Sequence, residues 1–260
     1  MYNNVELIEQ YVKDNYDLSD KLIKIKLAHT VRVYELMIKL VEMLNLKEHD
    51  KVLALYIALF HDIGRFYEAK HNKIFNNKYD HANDSVTILF EDGLIKEFDI
   101  KEEDYELIKK AIYYHNKLDV PEELTDREKY FCHMIRDVDK IDIYHVLANE
   151  YQKEFNYMPT NEVLNGFYDK ELINVNDIKN PSDSIVLYLS FQDQLYFRES
   201  LALLNSKGYL EEFINSIKVS DNNLVKDTFS HLKEETYDHR DNNMYKRRVL
   251  KKEVNYGRIR

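Results

Sequence analysis

Four histidines and two aspartates of this 260-residue chain sit where such side chains do chemistry. His29 falls on an apolar helical stripe, four residues after Ile25 and four before Val33. His61 and Asp62 are adjacent, at the end of a segment that is apolar nearly all round. His81 opens a helix beside Asp80 and Asp84, and His115 follows Ala111 by one helical turn. Asp139 lies within a long helical pattern rich in Ile and Val. A single histidine on an apolar helix face is usually a hydrogen-bonded core residue. Four of them on separate helices, with acids in similarly apolar surroundings, ask for more. Burying a carboxylate without a partner costs several kcal/mol, and the partial negative charge of a helix C-terminus disfavours Asp62 further. A divalent cation would resolve both costs, with neutral His61 and anionic Asp62 as ordinary ligands for it.

These residues need helices to position them, and the apolar periodicity predicts such helices. One covers 19–45, with Leu22, Ile25, Val33, Leu36, Leu40 and Leu44 on its stripe and Ser19 as N-cap. The next, over 48–63, is apolar on every face and so central, with Gly64 placed as a C′ glycine. A polar loop follows over 70–80. Asp80 or Asp84 then caps a helix that stops near Gly93. Further helices are expected over 102–116 and 126–150, the latter carrying Phe131, Ile135, Val138, Ile141, Val146 and Leu147. Beyond 150 the pattern suggests one long helix over 185–206, another over 210–217 and one or two more. No repeat or low-complexity linker interrupts the chain, so it reads as a single all-α domain, 1–260, whose C-terminal third packs on the rest.

Composition agrees. With only 5 Gly and 3 Pro, against usual shares of roughly 7% and 5%, a turn-rich β sandwich or a Gly-rich nucleotide-binding sheet is excluded. The 44% hydrophobic and 32% charged content is that of a globular chain. Lys and Arg number 37 against 47 Asp and Glu, and the net charge of −10 makes nucleic acid an unexpected partner. The stretch from Tyr245 to Arg260 departs from this balance, with seven basic residues against Glu253. It reads as a solvated tail or as a dock for an acidic surface. The longest apolar run, Val52 to Phe60, is far short of the about 20 residues that cross a bilayer. The lone Cys132 forms no internal disulfide, and the first residues lack a signal-peptide pattern, so a cytoplasmic setting is expected.

The ordered set His29, His61-Asp62, Asp139 resembles the HD superfamily of metal-dependent phosphohydrolases. Leu59-Phe60-His61-Asp62-Ile63-Gly64-Arg65 is similar to its central motif, and Arg136-Asp137-Val138-Asp139-Lys140-Ile141-Asp142 to its last. Asp80-His81 and Tyr114-His115-Asn116 resemble the extra histidine motifs of the two-metal branch. The resemblance spans roughly 20–150 and implies a helical core there, with 151–260 as a C-terminal helical extension. It also implies a ligand set: His29, His61 and Asp139 for one ion, His81 and His115 for a second, and Asp62 bridging both. Asp139 is preferred to Asp137 because the family motif places the ligand directly before Lys140. Asp137 and Asp142 are then expected to support the ligands or lie at the surface. A set of N and O donors without Cys suits two divalent transition metal ions (Fe, Mn, Co, Ni or Zn) better than Mg²⁺ alone.

The implied reaction is hydrolysis of a phosphate ester by a metal-bridging hydroxide, with Asp62 at its centre. Arg65 and Lys140 are the first candidates to hold further phosphate oxygens, and Asn116 a weaker one. Each cation has a plainer role available in a salt bridge to a neighbouring acid. The implied substrate is a small phosphorylated metabolite or a nucleotide, with no membrane partner. The Gly-Tyr-Pro word of the cyclic-di-GMP-cleaving branch is replaced after His115 by Asn116-Lys117-Leu118. The loop over 70–80 and part of the region after Tyr151 are expected to roof the pocket. Two other classes share the pattern: HD-fold di-iron oxygenases, and non-catalytic interaction modules that keep metals for stability.

Overall fold

A computed structural model describes residues 2–71 and 80–253, with side chains described for 4–71 and 80–243. The all-α expectation holds. The chain divides into two compact units, Met1–Asp142 and Ile143–Arg260, whose boundary falls inside one continuous helix. No helix among the described residues is long and apolar enough to cross a membrane.

The first unit begins with α1 (Tyr2–Asn15), a helix that the sequence patterning did not single out. Then come α2 (Lys21–Met43), α3 (Glu48–Phe60), α4 (Ile63–Lys70), α5 (His81–Val86), α6 (Tyr105–Tyr114) and α7 (Asp126–Glu150), which carries on past the unit's end. The N-cap of α2 is Asp20 rather than Ser19, its carboxylate accepting from the Leu22 amide at 2.7 Å. Asn45, at φ 54°, reverses the chain after α2. Every residue of α3 from Leu53 to Phe60 is buried, and the helix packs against both α2 and α6. A five-residue π-helical turn, Thr87–Glu91, prolongs α5 towards Gly93.

The helix expected over 48–63 is in fact two. α3 stops at Phe60, and α4 sets off from Asp62 in a new helical run. Ser85 on α5 holds this break: its Oγ accepts from the Gly64 amide at 2.9 Å and donates to the His61 carbonyl at 3.0 Å. Gly64 is therefore no C′ glycine. It lies inside α4, outside the positive-φ residues, and its lack of a side chain serves a close approach of α4 to α5. Asp62 moves with it, from the last turn of one helix to the first position before the next.

In the second unit lie α8 (Asn161–Asp169), α9 (Pro181–Ser190), α10 (Arg198–Lys207), α11 (Tyr209–Ser216) and α12 (Asn223–Glu253). The short strands β1 (Glu154–Phe155) and β2 (Lys218–Val219) pair in parallel, Glu154 opposite Lys218. The single helix expected over 185–206 is broken after Ser190. The buried Tyr144 hydroxyl donates to the Tyr188 carbonyl at 2.9 Å and accepts from the Gln192 amide at 3.1 Å. Those two groups would otherwise bond each other one turn apart, so the inserted hydroxyl ends α9.

Candidate metal centre

All six sequence-predicted ligands meet inside the first unit. His29 comes from the middle of α2. His61 and Asp62 fill the α3–α4 junction, and His81 starts α5. His115 caps α6, and Asp139 lies on α7. Their donor atoms form two groups, His29 with His61 and Asp139, and Asp62 with His81 and His115. Within each group the atoms lie within 4.8 Å of one another.

Asp62 faces both groups. Its Oδ2 is 3.6 Å from His29 Nε2, while its Oδ1 is 3.3 Å from His81 Nε2 and 3.5 Å from His115 Nε2. Asp139 Oδ1 is 3.3 Å from His29 Nε2 and 3.9 Å from His61 Nε2. All but Asp139 are buried, and its side chain is 18% exposed, which leaves the first group a path to solvent.

Local structure fixes which nitrogen each ring presents. His61 and His115 both cap helices, and each turns its Nδ1–H back to the carbonyl three residues earlier. His61 reaches Ala58 at 2.8 Å and His115 reaches Ile112 at 2.6 Å. That assignment leaves a lone pair on each Nε2. Those lone pairs point at other ring nitrogens: His61 Nε2 is 3.3 Å from His29 Nε2, and His115 Nε2 is 3.1 Å from His81 Nε2. Imidazole nitrogens and carboxylate oxygens that converge in this way form a surplus of acceptors. Cations relieve such a surplus, and the N and O donor set suits divalent transition ions.

The electrostatics follow from burial and these neighbours. Burial pushes His61 down to about 4 and His81 well below its usual value. Burial would lower His29 as well, but its contacts with Asp139 and Asp142 outweigh that and raise it to about 9. Burial opposes the charge on Asp62, yet Lys26 and the surrounding imidazoles hold its carboxyl well below the ordinary range. His29 does the same for Asp139.

The candidate phosphate-binding residues fare differently. Arg65 Nε is 3.7 Å from Asp62 Oδ1, and its Nη1 donates to the buried Glu68 at 2.9 Å. It therefore borders the site while anchored by an acid one turn on. Lys140 is half-buried beside Asp139 on α7, and burial together with Arg136 brings it down to about 8. Asn116 turns inward: its amide donates to Asp80 at 2.7 Å and stands 3.3 Å from His81 Nδ1. Asp80 in turn caps α5 by accepting from the Ala82 amide. Residues 72–79 of the expected roof, and the side chains of the basic stretch after Tyr245, lie outside the described residues.

Four residues of the site went unnoticed in the sequence or were undervalued. Lys26 Nζ is 3.5 Å from Asp62 Oδ2, with its side chain 22% exposed. Its place one turn before His29 was the available signal. Arg32, one turn after His29, pairs with Asp142, and Asp142 is fully buried against His29 Nδ1 at 2.6 Å. Arg136 closes the end of α6, donating to the carbonyls of Tyr114, His115, Lys117 and Leu118. It thereby pins the turn that presents His115.

Residues 27–147 match the family model described as HD domain, a span that contains all six clustered donors. Neither a curated protein nor a solved structure matches the chain.

Proposed function

Because residues 27–147 match the HD domain family model, we propose that this chain is a metal-dependent phosphohydrolase acting on a small phosphorylated substrate such as a nucleotide. One observation carries the two-ion form of this reading: the oxygens of Asp62 turn to different groups, Oδ2 to His29 and Oδ1 to His81 and His115. A carboxylate so divided is what two neighbouring cations share. His29, His61 and Asp139 would hold one ion, and His81 and His115 the other. When bound, such ions supply Lewis acidity: they draw the pKa of water from about 15.7 towards neutrality and offset charge on phosphoryl oxygens.

The chain's own residues do the rest. Lys26 and Arg65 approach Asp62 from either side, at Oδ2 and Oδ1, and both are partly exposed. They therefore present positive charge where a phosphate ester would enter, with Lys140 beside Asp139 as a third cation. Asn116, Asp80 and Arg136 keep the α5 and α6 ends in place, so His81 and His115 are held before substrate arrives.

The test is metal analysis of the full-chain protein, followed by phosphomonoester and phosphodiester panels with Mn²⁺, Co²⁺, Ni²⁺ and Fe²⁺. The expected result is phosphate ester cleavage that a chelator abolishes, metal restores and Asp62→Asn eliminates. No cleavage with any metal would sink the reading. Iron content with an EPR signal and O₂ uptake would assign the chain to oxygenase chemistry instead.

A further inference from the structure

His29 differs from its neighbours in what holds its second nitrogen. His61 and His115 lean on main-chain carbonyls, and His81 Nδ1 faces the Asn116 amide. His29 Nδ1 meets the Asp142 carboxylate at 2.6 Å. Asp142 is 0% exposed, and Arg32 grips it through a fork, Nε to Oδ1 at 2.7 Å and Nη2 to Oδ2 at 3.0 Å. The geometry is a face-to-face match of two helices. His29 and Arg32 lie one turn apart on α2, and Asp139 and Asp142 one turn apart on α7. One imidazole thus spans two carboxylates, Nδ1 to Asp142 and Nε2 to Asp139.

Stability is a poor explanation for this arrangement. An apolar pair of similar volume is often as stabilising as a buried ion pair, or more so. A carboxylate behind a ligating imidazole has a different effect: it fixes the ring and strengthens its donor nitrogen. The group that contains His29 gains this support, whereas the group of His81 and His115 is backed by an amide and a carbonyl.

We propose that Arg32 and Asp142 are positioning residues that make the two metal positions unequal, so that the position served by His29, His61 and Asp139 binds its divalent ion more tightly and fills first. The inference rests on the two-ion reading of the site given above. Asp142 supplies the carboxylate that fixes and strengthens His29, and the two-point grip of Arg32 keeps Asp142 aimed at that ring while α2 and α7 hold their register.

Titration of the metal-stripped, full-chain protein with Mn²⁺ alone, read by the EPR signal of free Mn²⁺, tests this. The wild type is expected to show two binding classes at least about tenfold apart, and His81→Ala to lose the weaker one. Asp142→Asn, which keeps the shape and an acceptor but removes the charge, should weaken the tighter class by about 10- to 100-fold and leave the other unchanged. Should that variant fail to fold by circular dichroism, Arg32→Lys keeps the positive charge without the fork and should weaken the same class. An unchanged tighter class in a folded variant, or an equal loss in both classes, would overturn the proposal. A wild type that binds no Mn²⁺, or one ion only, would instead remove the two-ion reading, and this inference with it.

Discussion

A Cβ placed on Gly64 would lie 2.3 Å from the His81 carbonyl oxygen and 2.7 Å from the Ser85 amide nitrogen, so α4 and α5 meet backbone to backbone beside the site. The contact joins the His61-Asp62 junction to the first turn of α5, and hence both donor groups. Gly64→Ala is therefore expected to destabilise the protein. Helix propensity alone favours Ala by about 1 kcal/mol, but two backbone atoms closer than 3.0 Å cannot move independently of their helices. Overpacking of this kind costs about 1–3 kcal/mol or more. Thermal melts should show a lower Tm, with metal content reduced in the same variant. An unchanged Tm and full metal content would refute the argument.

Removal of Lys26 separates substrate binding from metal binding. Lys26→Met deletes a cation 3.5 Å from Asp62 Oδ2, so metal should bind at least as well as in the wild type. A hydrogen bond to a charged group contributes about 1.5–3 kcal/mol, and kcat/KM for a phosphate ester should fall about 10- to 150-fold. The measurement is steady-state kinetics alongside metal titration. A loss of metal with no loss of kcat/KM at saturating metal would show that Lys26 serves the ligands instead.

Metal should also support the fold. Ions that bind the native state and not the unfolded chain stabilise it by mass action, about 2.7 kcal/mol at a free concentration 100 times Kd. Chelation should lower the Tm of the wild type and leave that of Asp62→Asn nearly untouched. Calorimetry with and without chelator decides it, and equal shifts in both proteins would count against a metal at Asp62.

His133 on α7 predicts a pH effect away from the donor cluster. Burial, aided by Arg136, lowers it from 6.5 to about 4 in the folded chain. Above pH 6.5 the ring is neutral in both states and costs nothing. As pH falls from 6.5 to 4 the unfolded chain takes up a proton that the folded chain refuses, so stability is lost across that window. Urea unfolding at pH 7 and pH 5 should show a smaller loss in His133→Gln than in the wild type. Parallel losses would mean that His133 titrates normally.

Cys132 is fully buried, and burial pushes its thiol up to about 12. Thiolate is the reactive form. A chromogenic disulfide reagent at pH 8 should therefore leave the folded protein untouched and titrate one thiol per chain in denaturant. Rapid labelling of the native protein would contradict this burial.

Much of the site was legible because its chemistry contradicts its surroundings. Imidazoles and carboxylates on apolar helix faces stand out in a linear reading, since desolvation makes them costly there. So His29, His61, Asp62, His81 and His115 could be picked out in the linear sequence, as could a helical class from the scarcity of Gly and Pro, whereas the choice of Asp139 over Asp137 came from the resemblance to the family motif. Helical periodicity likewise located α7 to the residue, because its pattern is long and uninterrupted.

Tertiary structure decided whatever depends on a partner distant in sequence. The break between α3 and α4 is made by the Ser85 hydroxyl, and the end of α9 by the Tyr144 hydroxyl, neither visible in local periodicity. Gly64 fits both a helix end and a close helix contact, and only the position of α5 distinguishes them. Lys26 and Arg32 look like ordinary surface charges in the chain, and Asp142 fits a surface position as well as a supporting one. They become part of the site because α2 and α7 face each other, which brings a residue 113 positions away to within 2.6 Å of His29. Residue types and spacing thus set the donor chemistry. Which oxygen faces which ring, and which charge stands behind it, follows from helix packing, whose contacts no short stretch of sequence contains.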